Sequence, residues 1–258
     1  MTELSVVIPH DPKRAHELVD RCQASVLREA GLKSLHMLVI GEGNTSEAKN
    51  LGAWRTQGDI LIFLDDDVEV RPGCFHELLD PFKDPTVGIV GGVNVPFENI
   101  SLQEKVGAKL LSSPYTMFRS CARYGPRGGI RETDEAEIVG CILAVRRQAF
   151  WAAGGFPVDI IPGEENVLIN RIQAQGWKVI YNPFAVVFHR RPRVFREYAR
   201  AMFRYGMGRG FMMRKTGSQG GPRLLWKPRK IWLYYLPGFI VHYVSYISGV
   251  LWGLIKGE

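Results

Sequence analysis

The feature that most constrains the fold is an alternation of short apolar runs with helix-like segments over the first 67 residues. Three runs, at residues 5–9, 36–40 and 59–64, are rich in Val, Ile and Leu. Between them, apolar residues recur at helical spacing over residues 13–30, and a second helix is predicted to end at Gly58. Strand, helix, strand, helix, strand in this order predicts right-handed βαβ units on a parallel sheet.

The rest of the body continues the pattern, with one long polar interruption. Helices are predicted near residues 73–82 and 164–175, and strands near 87–95 and 178–187, the last ending at His189. Between them the chain is predicted to regain order at residues 138–147. The polar stretch at residues 112–137 is predicted to be either a functional loop or a disordered one, because such insertions are uncommon inside compact domains.

Composition excludes several classes of protein. Hydrophobic residues at 46% and charged residues at 23% are ordinary globular values, which excludes a disordered or collagen-like chain. The four cysteines form no C-x-x-C pair, which favours free thiols in a reducing compartment over a zinc ribbon or redox dithiol. The first strand is followed by Pro9-His10-Asp11-Pro12 and not by G-x-G-x-x-G, which disfavours a nicotinamide-dependent oxidoreductase.

Three consecutive aspartates, Asp65 to Asp67, close the third apolar run. Ligands of open parallel sheets bind beyond the carboxyl ends of the strands. Residues i and i+2 of an extended chain project to the same side, so Asp65 and Asp67 should face one point while Asp66 faces away. A hard divalent cation would relieve the mutual repulsion of these carboxylates. A solvated acidic turn is the alternative interpretation.

A second acidic pair, Glu164 and Glu165, opens a predicted helix. Acids in a first turn complement the helix dipole, which is a sufficient structural explanation for one of them. The other function for such a pair is to accept a proton from a substrate hydroxyl. His189 is either a third metal ligand through its imidazole or simply a polar strand end.

Taken in order, these segments resemble the inverting glycosyltransferases of family 2, which have the GT-A fold. The resemblance covers residues 4 to about 210, and residues 195–210 are similar to the branch that builds cell-surface polysaccharides of succinoglycan type. The matching segments are SVVIP at the start, Lys49-Asn50-Leu51-Gly52, residues 58–67, Val139-Gly140 through Arg146-Arg147, Gly154-Gly155-Phe156, Gly163-Glu164-Glu165, Gly176, and Tyr181-Asn182-Pro183 through His189.

The resemblance implies an α/β fold with a Rossmann-like, mostly parallel sheet flanked by helices, followed by C-terminal amphipathic and apolar helices. It also implies metal-dependent, inverting transfer of a sugar from a nucleotide-sugar, with a UDP-sugar favoured, to a hydroxyl of a glycan or lipid-linked acceptor. The divalent cation would be Mn²⁺ or Mg²⁺.

Site residues follow from the same resemblance. Asp65 and Asp67 match the D-x-D motif that holds the cation, and His189 matches a histidine that completes the metal site. Glu165 stands where the family usually has a catalytic Asp, so either Glu165 or its neighbour Glu164 is the expected base. The residues expected to bind the donor are Pro9, His10, Asp11, Glu42, Asn50, Asp65 and Asp66.

Charge divides the chain into a predicted catalytic domain at residues 1–190 and a basic amphipathic segment at 191–230. Residues 190–230 hold 13 Lys or Arg and one acid, although the whole chain has a net charge of only +7. A basic amphipathic helix is typical of a membrane-surface element. The alternatives are a helix packed on the enzyme and arginines that hold a phosphate. Because the positive charge is confined to this strip, we expect no nucleic-acid partner.

An apolar tail, residues 231–258, completes the predicted organisation. No Asp, Glu, Lys or Arg occurs in residues 231–255, a length that can cross a bilayer. Its aromatic residues are spread throughout, which favours helices in the membrane interface over a single span, with a soluble packed helix as the third alternative. The first residues lack the features of a signal peptide. We therefore expect the protein on the cytoplasmic face of an anionic membrane, either peripheral or held by one C-terminal anchor.

Two other functions stay open. The chain could be a catalytically inactive scaffold that binds glycans or lipids, although its acidic residues Asp65, Asp67, Glu164 and Glu165 argue against this. A sugar nucleotidyltransferase shares the sheet and an acidic metal site. Such an enzyme needs a Gly-rich basic loop after the first strand, which this sequence lacks.

Overall fold

The structure is a computed structural model that describes residues 3–29, 35–216 and 232–256. Its strands are β1 Leu4–Pro9, β2 Leu35–Ile40, β3 Ile60–Leu64, β4 Val68–Val70, β5 Val87–Val95, β6 Arg131–Glu132, β7 Ile142–Arg146 and β8 Lys178–His189. Its α-helices are α1 His16–Leu27, α2 Thr45–Arg55, α3 Cys74–Leu79, α4 Leu102–Leu111, α5 Pro114–Met117, α6 Arg147–Ala152, α7 Glu164–Ala174, α8 Arg196–Thr216 and α9 Trp232–Lys256. Two 3-10 helices cover Asp80–Lys83 and Phe118–Tyr124.

The chain divides into two units. The first comprises Met1–Phe97, Ala122–Val158 and Glu164–Arg190, and the second comprises Glu98–Cys121, Asp159–Gly163 and Arg191–Glu258. One boundary coincides with the predicted domain boundary at residue 190. The second unit nevertheless takes two segments out of the predicted catalytic domain and joins them to both C-terminal helices.

A sheet of eight strands, in the order β2-β1-β3-β7-β5-β8-β4 with β6 also paired to β8, forms the centre of the first unit as far as the described residues extend. Strands β1, β2, β3, β5 and β8 run in one direction, and β4, β6 and β7 run in the other. This is the mostly parallel sheet that the resemblance implies, whereas the βαβ pattern of the first 67 residues by itself indicates parallel strands alone. Strand β7 lies between β3 and β5 and is antiparallel to both. It has this direction because the chain enters β7 from the end of the sheet at which β5 finishes.

Alternation along the strands distributes apolar side chains to both faces of this sheet. Val6 and Ile62 pack with α1 and α3 on one face, whereas Val7 and Leu61 pack with α2, α6 and α7 on the other. Successive residues of a strand point to opposite faces, so strands covered on both sides read as continuous apolar runs. The runs that predicted β1 and β3 are therefore completely buried.

Helix α2 begins at a capping box, a local sequence signal for its N-terminus. The Asn44 side chain accepts a hydrogen bond from the amide of Glu47, and the Glu47 carboxylate accepts one from the amide of Asn44. These bonds satisfy two backbone donors that the helix leaves unpaired. The cap fixes the start of the helix that carries Lys49.

The polar stretch at residues 112–137 is ordered, so its interpretation as a disordered loop was wrong. It contains α5, the second 3-10 helix and β6. Arg123 donates to the carbonyl of Ala136 at 2.9 Å, and Arg131 forms a 2.8 Å ion pair with Glu137. Polar side chains here bond to one another and to the backbone, which composition alone does not reveal.

In the second unit, α8 and α9 pack through glycines. A Cβ atom on Gly249 would lie 2.0 Å from the Phe203 carbonyl oxygen, and one on Gly206 would lie 2.1 Å from the Tyr246 carbonyl oxygen. Only glycine allows the two backbones to approach so closely.

Buried polar contacts add to this unit. The Tyr198 hydroxyl lies 3.0 Å from His242 Nδ1, and burial lowers the pKa of His242 to about 4, which keeps this histidine neutral at pH 7. The Tyr243 hydroxyl donates to the Tyr115 carbonyl at 2.7 Å. This bond and the close packing of Gly107 on Pro192 explain why residues 98–121 belong with the C-terminal helices.

The C-terminal predictions are only partly covered by the described residues. Helix α8 lies within the predicted basic segment, and α9 corresponds to the apolar tail, continuing through Pro237 as one helix. Residues 217–231 and 257–258, which the basic segment and the tail also include, lie outside the described residues. Among the helices that the structure describes, none combines the length and the hydrophobicity needed to cross a bilayer.

Candidate active site

The polar residues predicted from the sequence gather at the carboxyl edge of the first unit's sheet. His10 follows β1 and Asp65 follows β3, two parallel strands. His189 ends β8 and pairs with Val68 at the start of β4. This antiparallel register brings His189 beside Asp67, although the two residues are far apart in the chain.

Asp65, Asp67 and His189 form a candidate cation site. One ligand atom from each residue lies within 4.8 Å of the others, and His189 Nε2 is 3.3 Å from an Asp67 oxygen. His189 Nδ1 lies 2.7 Å from the carbonyl oxygen of Arg190, to which it donates, so Nε2 is the atom left to act as a ligand. Two carboxylates and one imidazole suit Mn²⁺ or Mg²⁺.

The surroundings shift the pKa values of the two aspartates of this site in opposite directions. Burial raises the pKa of Asp65 despite the nearby charge of Lys49. Burial by itself would also raise the pKa of Asp67, but His189 and Arg14 outweigh it and hold that pKa below its usual value. Asp67 therefore carries a negative charge at neutral pH.

Asp66 is not one of the three candidate ligands, and residues 66 and 67 form a turn instead of the extended chain that the prediction assumed. Asp66 is buried, and it accepts hydrogen bonds from His10 Nδ1 at 2.8 Å and from Arg14. Arg14 also donates to Asp67 at 2.6 Å. The other ring nitrogen of His10, Nε2, is buried and has no partner among the described residues.

Glu164 is held by a buried lysine. Lys49 Nζ lies 3.3 Å from Glu164 Oε1, both side chains are less than a tenth exposed, and the ammonium lies 4.9 Å from the centre of the Phe156 ring. Burial lowers the pKa of Lys49, but Glu164, Asp65 and Glu165 more than offset this and raise it. Lys49 is therefore a buried cation that the two separate acidic segments share.

Glu165 differs from its neighbour. Burial, with the adjacent Glu164 as the second cause, raises its pKa to about 7 from the usual 4.5. A Cβ atom on Gly140 would lie 3.2 Å from the Glu165 carboxyl carbon, so this glycine leaves the space that the carboxyl group occupies. Among the described residues Glu165 forms no ion pair. A carboxyl group with a pKa near 7 is suited to accept a proton.

The remaining predicted donor residues have mixed surroundings. Pro9 is the buried last residue of β1, Asp11 is exposed, and Glu42 pairs with Arg55 at 3.1 Å. The amide nitrogen and oxygen of Asn50 both bond to the main chain of Phe156 at 2.9 Å. This contact favours a structural role for Asn50 over the predicted donor role.

Sequence reasoning did not identify Lys49 or Arg14 as site residues. Lys49 lies in the buried row of α2 with Ser46, Gly52 and Ala53, at helical spacing. A lysine within such a row is a signal that could have been used, because a buried lysine needs an acidic partner. Arg14 carries no comparable signal, since it lies in a polar loop.

Comparison with known proteins identifies relatives in sequence and in fold. A family model described as "Glycosyl transferase family group 2" matches residues 60–255, more than half of the chain. Two curated relatives, the pre-mycofactocin glycosyltransferases of Mycobacterium tuberculosis strains CDC 1551 and H37Rv, are each 28% identical over 161 residues. The match covers 62% of this chain but only 33% of each relative, so this chain spans about a third of their length.

Two solved structures resemble the fold over 99% of this chain. One is a crystal structure of GalNAc-T7 with UDP, GalNAc and Mn²⁺, with a TM-score of 0.55, 15% identity and 56% of that chain covered. The other is the mannosyltransferase PcManGT from Pyrobaculum calidifontis in complex with GDP-Man and Mn²⁺, with a TM-score of 0.58, 16% identity and 73% covered. These likenesses confirm the predicted fold class.

Proposed function

Because this chain belongs to glycosyl transferase family group 2, we propose that it is a metal-dependent, inverting glycosyltransferase that uses a nucleotide-sugar donor. The observation that carries the proposal is the shared position of Lys49. The pKa of this one buried ammonium is raised by Asp65, from the cation site, and by Glu164 and Glu165, from the start of α7.

The candidate cation site supplies the donor end of the reaction. Asp65, Asp67 and His189 would hold Mn²⁺ or Mg²⁺ on the donor diphosphate. The bound cation would neutralise the charge that develops on the departing nucleoside diphosphate. Arg14 lies beside Asp67 and can donate to a phosphate oxygen from the same side.

The acceptor end requires a base, and we assign this role to Glu165. Glu164 is tied to Lys49 by a buried ion pair, which engages one of its carboxylate oxygens. Glu165 has no such pair among the described residues, and its pKa of about 7 suits a base that works near neutral pH. It would remove the proton of an acceptor hydroxyl as that oxygen attacks the anomeric carbon from the face opposite the diphosphate.

The finer assignments rest on resemblance. The two structural neighbours are complexes with UDP and with GDP-Man, which supports a nucleoside-diphosphate-sugar donor without favouring one base. The sequence favours a UDP-sugar donor, a glycan or lipid-linked acceptor and a role in cell-surface polysaccharide synthesis. We retain these as parts of the proposal, together with a position at the cytoplasmic face of the membrane.

The test compares three single variants with the wild-type chain. Purified proteins are incubated with UDP-, GDP- and dTDP-sugars with and without Mn²⁺, and thermal shift and release of the nucleoside diphosphate are measured. We expect Asp67→Ala to lose both the Mn²⁺-dependent thermal shift and turnover. Glu165→Gln should keep the thermal shift and lose turnover.

The third variant, Glu164→Gln, decides between the two adjacent acids. If Glu164→Gln is folded but inactive and Glu165→Gln stays active, Glu164 is the base and our assignment is reversed. Full wild-type turnover in the presence of a chelator would contradict metal dependence. A wild-type chain that binds sugar nucleotides and never releases the nucleoside diphosphate would favour the scaffold alternative.

A further inference from the structure

Helix α9 exposes a continuous row of large aliphatic side chains on one face. The spacing of three or four residues places them on a single side of the helix. We call these residues the apolar row: Ile240, Val244, Ile247, Leu251 and Ile255, which are 56, 61, 44, 54 and 72% exposed. Contiguous apolar patches of this kind on a protein surface mark a site of interaction.

The opposite side of α9 is already covered. Gly249 and Gly253 contact the backbone of α8 at Phe203 and Met207, and His242 is buried against Tyr198. His242 and the close helix contact are thus on the inner side, and the apolar row is left on the outer side. A helix that is covered on one side and apolar on the other is suited to lie along a boundary between water and an apolar phase.

Helix α8 adds positive charge to this pair of helices. Arg196, Arg200, Arg204 and Arg214 are exposed. Glu197 is the one acidic residue in α8 and α9 together, and it accepts hydrogen bonds from Arg193. Helix α8 therefore carries an excess of exposed positive charge, and Arg214, which donates to the carbonyl oxygen of Ile255, lies at the end of the apolar row.

We propose that the second unit docks on an anionic lipid surface through this pair of helices. The apolar row enters the boundary between headgroups and acyl chains, α9 lies in the plane of the membrane, and the exposed arginines of α8 contact anionic headgroups. The alternative occupant, a second copy of the same surface, would bring two arginine-rich helices into one assembly without an acid to balance them. The proposal rests on the membrane position that is part of the proposed function and names the surface that provides it, and it does not depend on the transferase activity.

The first experiment measures flotation of the full chain with vesicles. One set of vesicles is phosphatidylcholine alone, and the other contains phosphatidylcholine with phosphatidylglycerol, each at low and high salt. We expect binding to the anionic vesicles and weakening at high salt. Binding that is equal for the two vesicle types and insensitive to salt would overturn the anionic part of the proposal.

Paired variants test the apolar row. The double variant Val244→Gln with Leu251→Gln should lower the vesicle partition coefficient on the order of 100-fold, because each substitution removes a large aliphatic side chain from the acyl boundary. The matched control is Leu27→Gln with Leu102→Gln, at side chains that are 70 and 77% exposed and lie outside α9. Equal partitioning of the variant and the control would overturn the proposal.

A second pair tests the charge. Arg200→Gln with Arg204→Gln should reduce partitioning about 30-fold, at about fivefold for each arginine near an anionic surface. Arg28→Gln with Arg71→Gln, at exposed arginines of the first unit, should have little effect. All substituted side chains are exposed, so unchanged thermal midpoints are expected and are measured for each variant.

The oligomeric state is measured in parallel by light scattering. If the apolar-row variant dissociates a dimer of the wild-type chain and leaves vesicle binding unchanged, the surface serves a second copy and our proposal is wrong. Release of nucleoside diphosphate without vesicles is measured on the same samples. Failure of docking can then be distinguished from failure of the proposed activity.

Discussion

Replacing Glu165 with glutamine should make the protein more stable at alkaline pH while removing its activity. The substitution keeps the size and shape of the side chain and removes its charge. In the wild-type chain, burial and the adjacent Glu164 raise the pKa of the Glu165 carboxyl group to about 7 from 4.5. Glutamine stays neutral in both the folded and the unfolded chain.

The magnitude follows from the linkage between pKa and stability. Between pH 4.5 and 7 the unfolded chain has released the Glu165 proton and the folded chain still holds it. The free energy of unfolding of the wild type therefore falls as pH rises through this window. One pKa unit corresponds to about 1.4 kcal/mol, so the full loss above pH 7 is about 2 to 3 kcal/mol after allowance for partial exposure of the carboxyl group.

The assay is chemical or thermal unfolding of wild type and variant at acid and at alkaline pH. Near pH 5 the two proteins should differ by less than about 1 kcal/mol. Near pH 8 Glu165→Gln should be more stable by about 2 to 3 kcal/mol, which corresponds to a thermal midpoint about 4 to 12 °C higher. A variant that gains stability and loses activity is expected where an active site keeps an ionisable group buried at a cost in stability.

The matched control is the neighbouring acid. Glu164→Gln leaves the buried ammonium of Lys49 without its partner, so it should destabilise the protein by about 3 to 5 kcal/mol at both pH values. If Glu165→Gln brings no gain near pH 8, the carboxyl group is not strained by its surroundings and our account of the pair fails. The same conclusion follows if both variants lose stability equally.

Three further predictions concern the same elements. Turnover should rise with pH through about 7, because Glu165 must be ionised to accept a proton; a rate of nucleotide release that stays flat from acid to neutral pH would argue against this base. Lys49→Met should lower the free energy of unfolding by about 3 to 5 kcal/mol, since a buried carboxylate loses its cation, and an unchanged denaturant midpoint would contradict it. Gly249→Ala should lower the thermal midpoint, because a Cβ atom 2.0 Å from the Phe203 carbonyl oxygen costs about 1 to 3 kcal/mol and outweighs the gain in helix propensity of about 1 kcal/mol. Gly129→Ala, where nothing lies within 4 Å, is its control.

Local pattern was sufficient to predict the elements that build the sheet edge. The apolar runs at residues 5–9 and 59–64 became β1 and β3, since strands covered on both faces are apolar throughout. The sequence also predicted that Asp65 and Asp67 would face one point, and both lie with His189 in the candidate cation site. These features depend on neighbours within a few residues, which a single sequence contains.

Features that depend on tertiary contacts were missed. Strand β4 is three residues long and is stabilised by pairing with β8, so it has no periodicity of its own to detect. The order within residues 112–137 comes from polar contacts such as Arg131 with Glu137. Asn50 lay in a segment resembling the family, but only the structure reveals its bonds to Phe156.

Lys49 explains how so many acids can gather at one edge of the sheet. Asp65, Glu164 and Glu165 would repel one another if each were ionised in a buried position without a counter-charge. One ammonium from α2 reduces that repulsion, but among the described residues its ion pair is with Glu164. Asp67 has Arg14 and His189 beside it. Glu165 is left without an ion pair among the described residues. Its negative charge is therefore the least stabilised of the group, and the ionised carboxylate has the strongest tendency to take a proton from an acceptor hydroxyl.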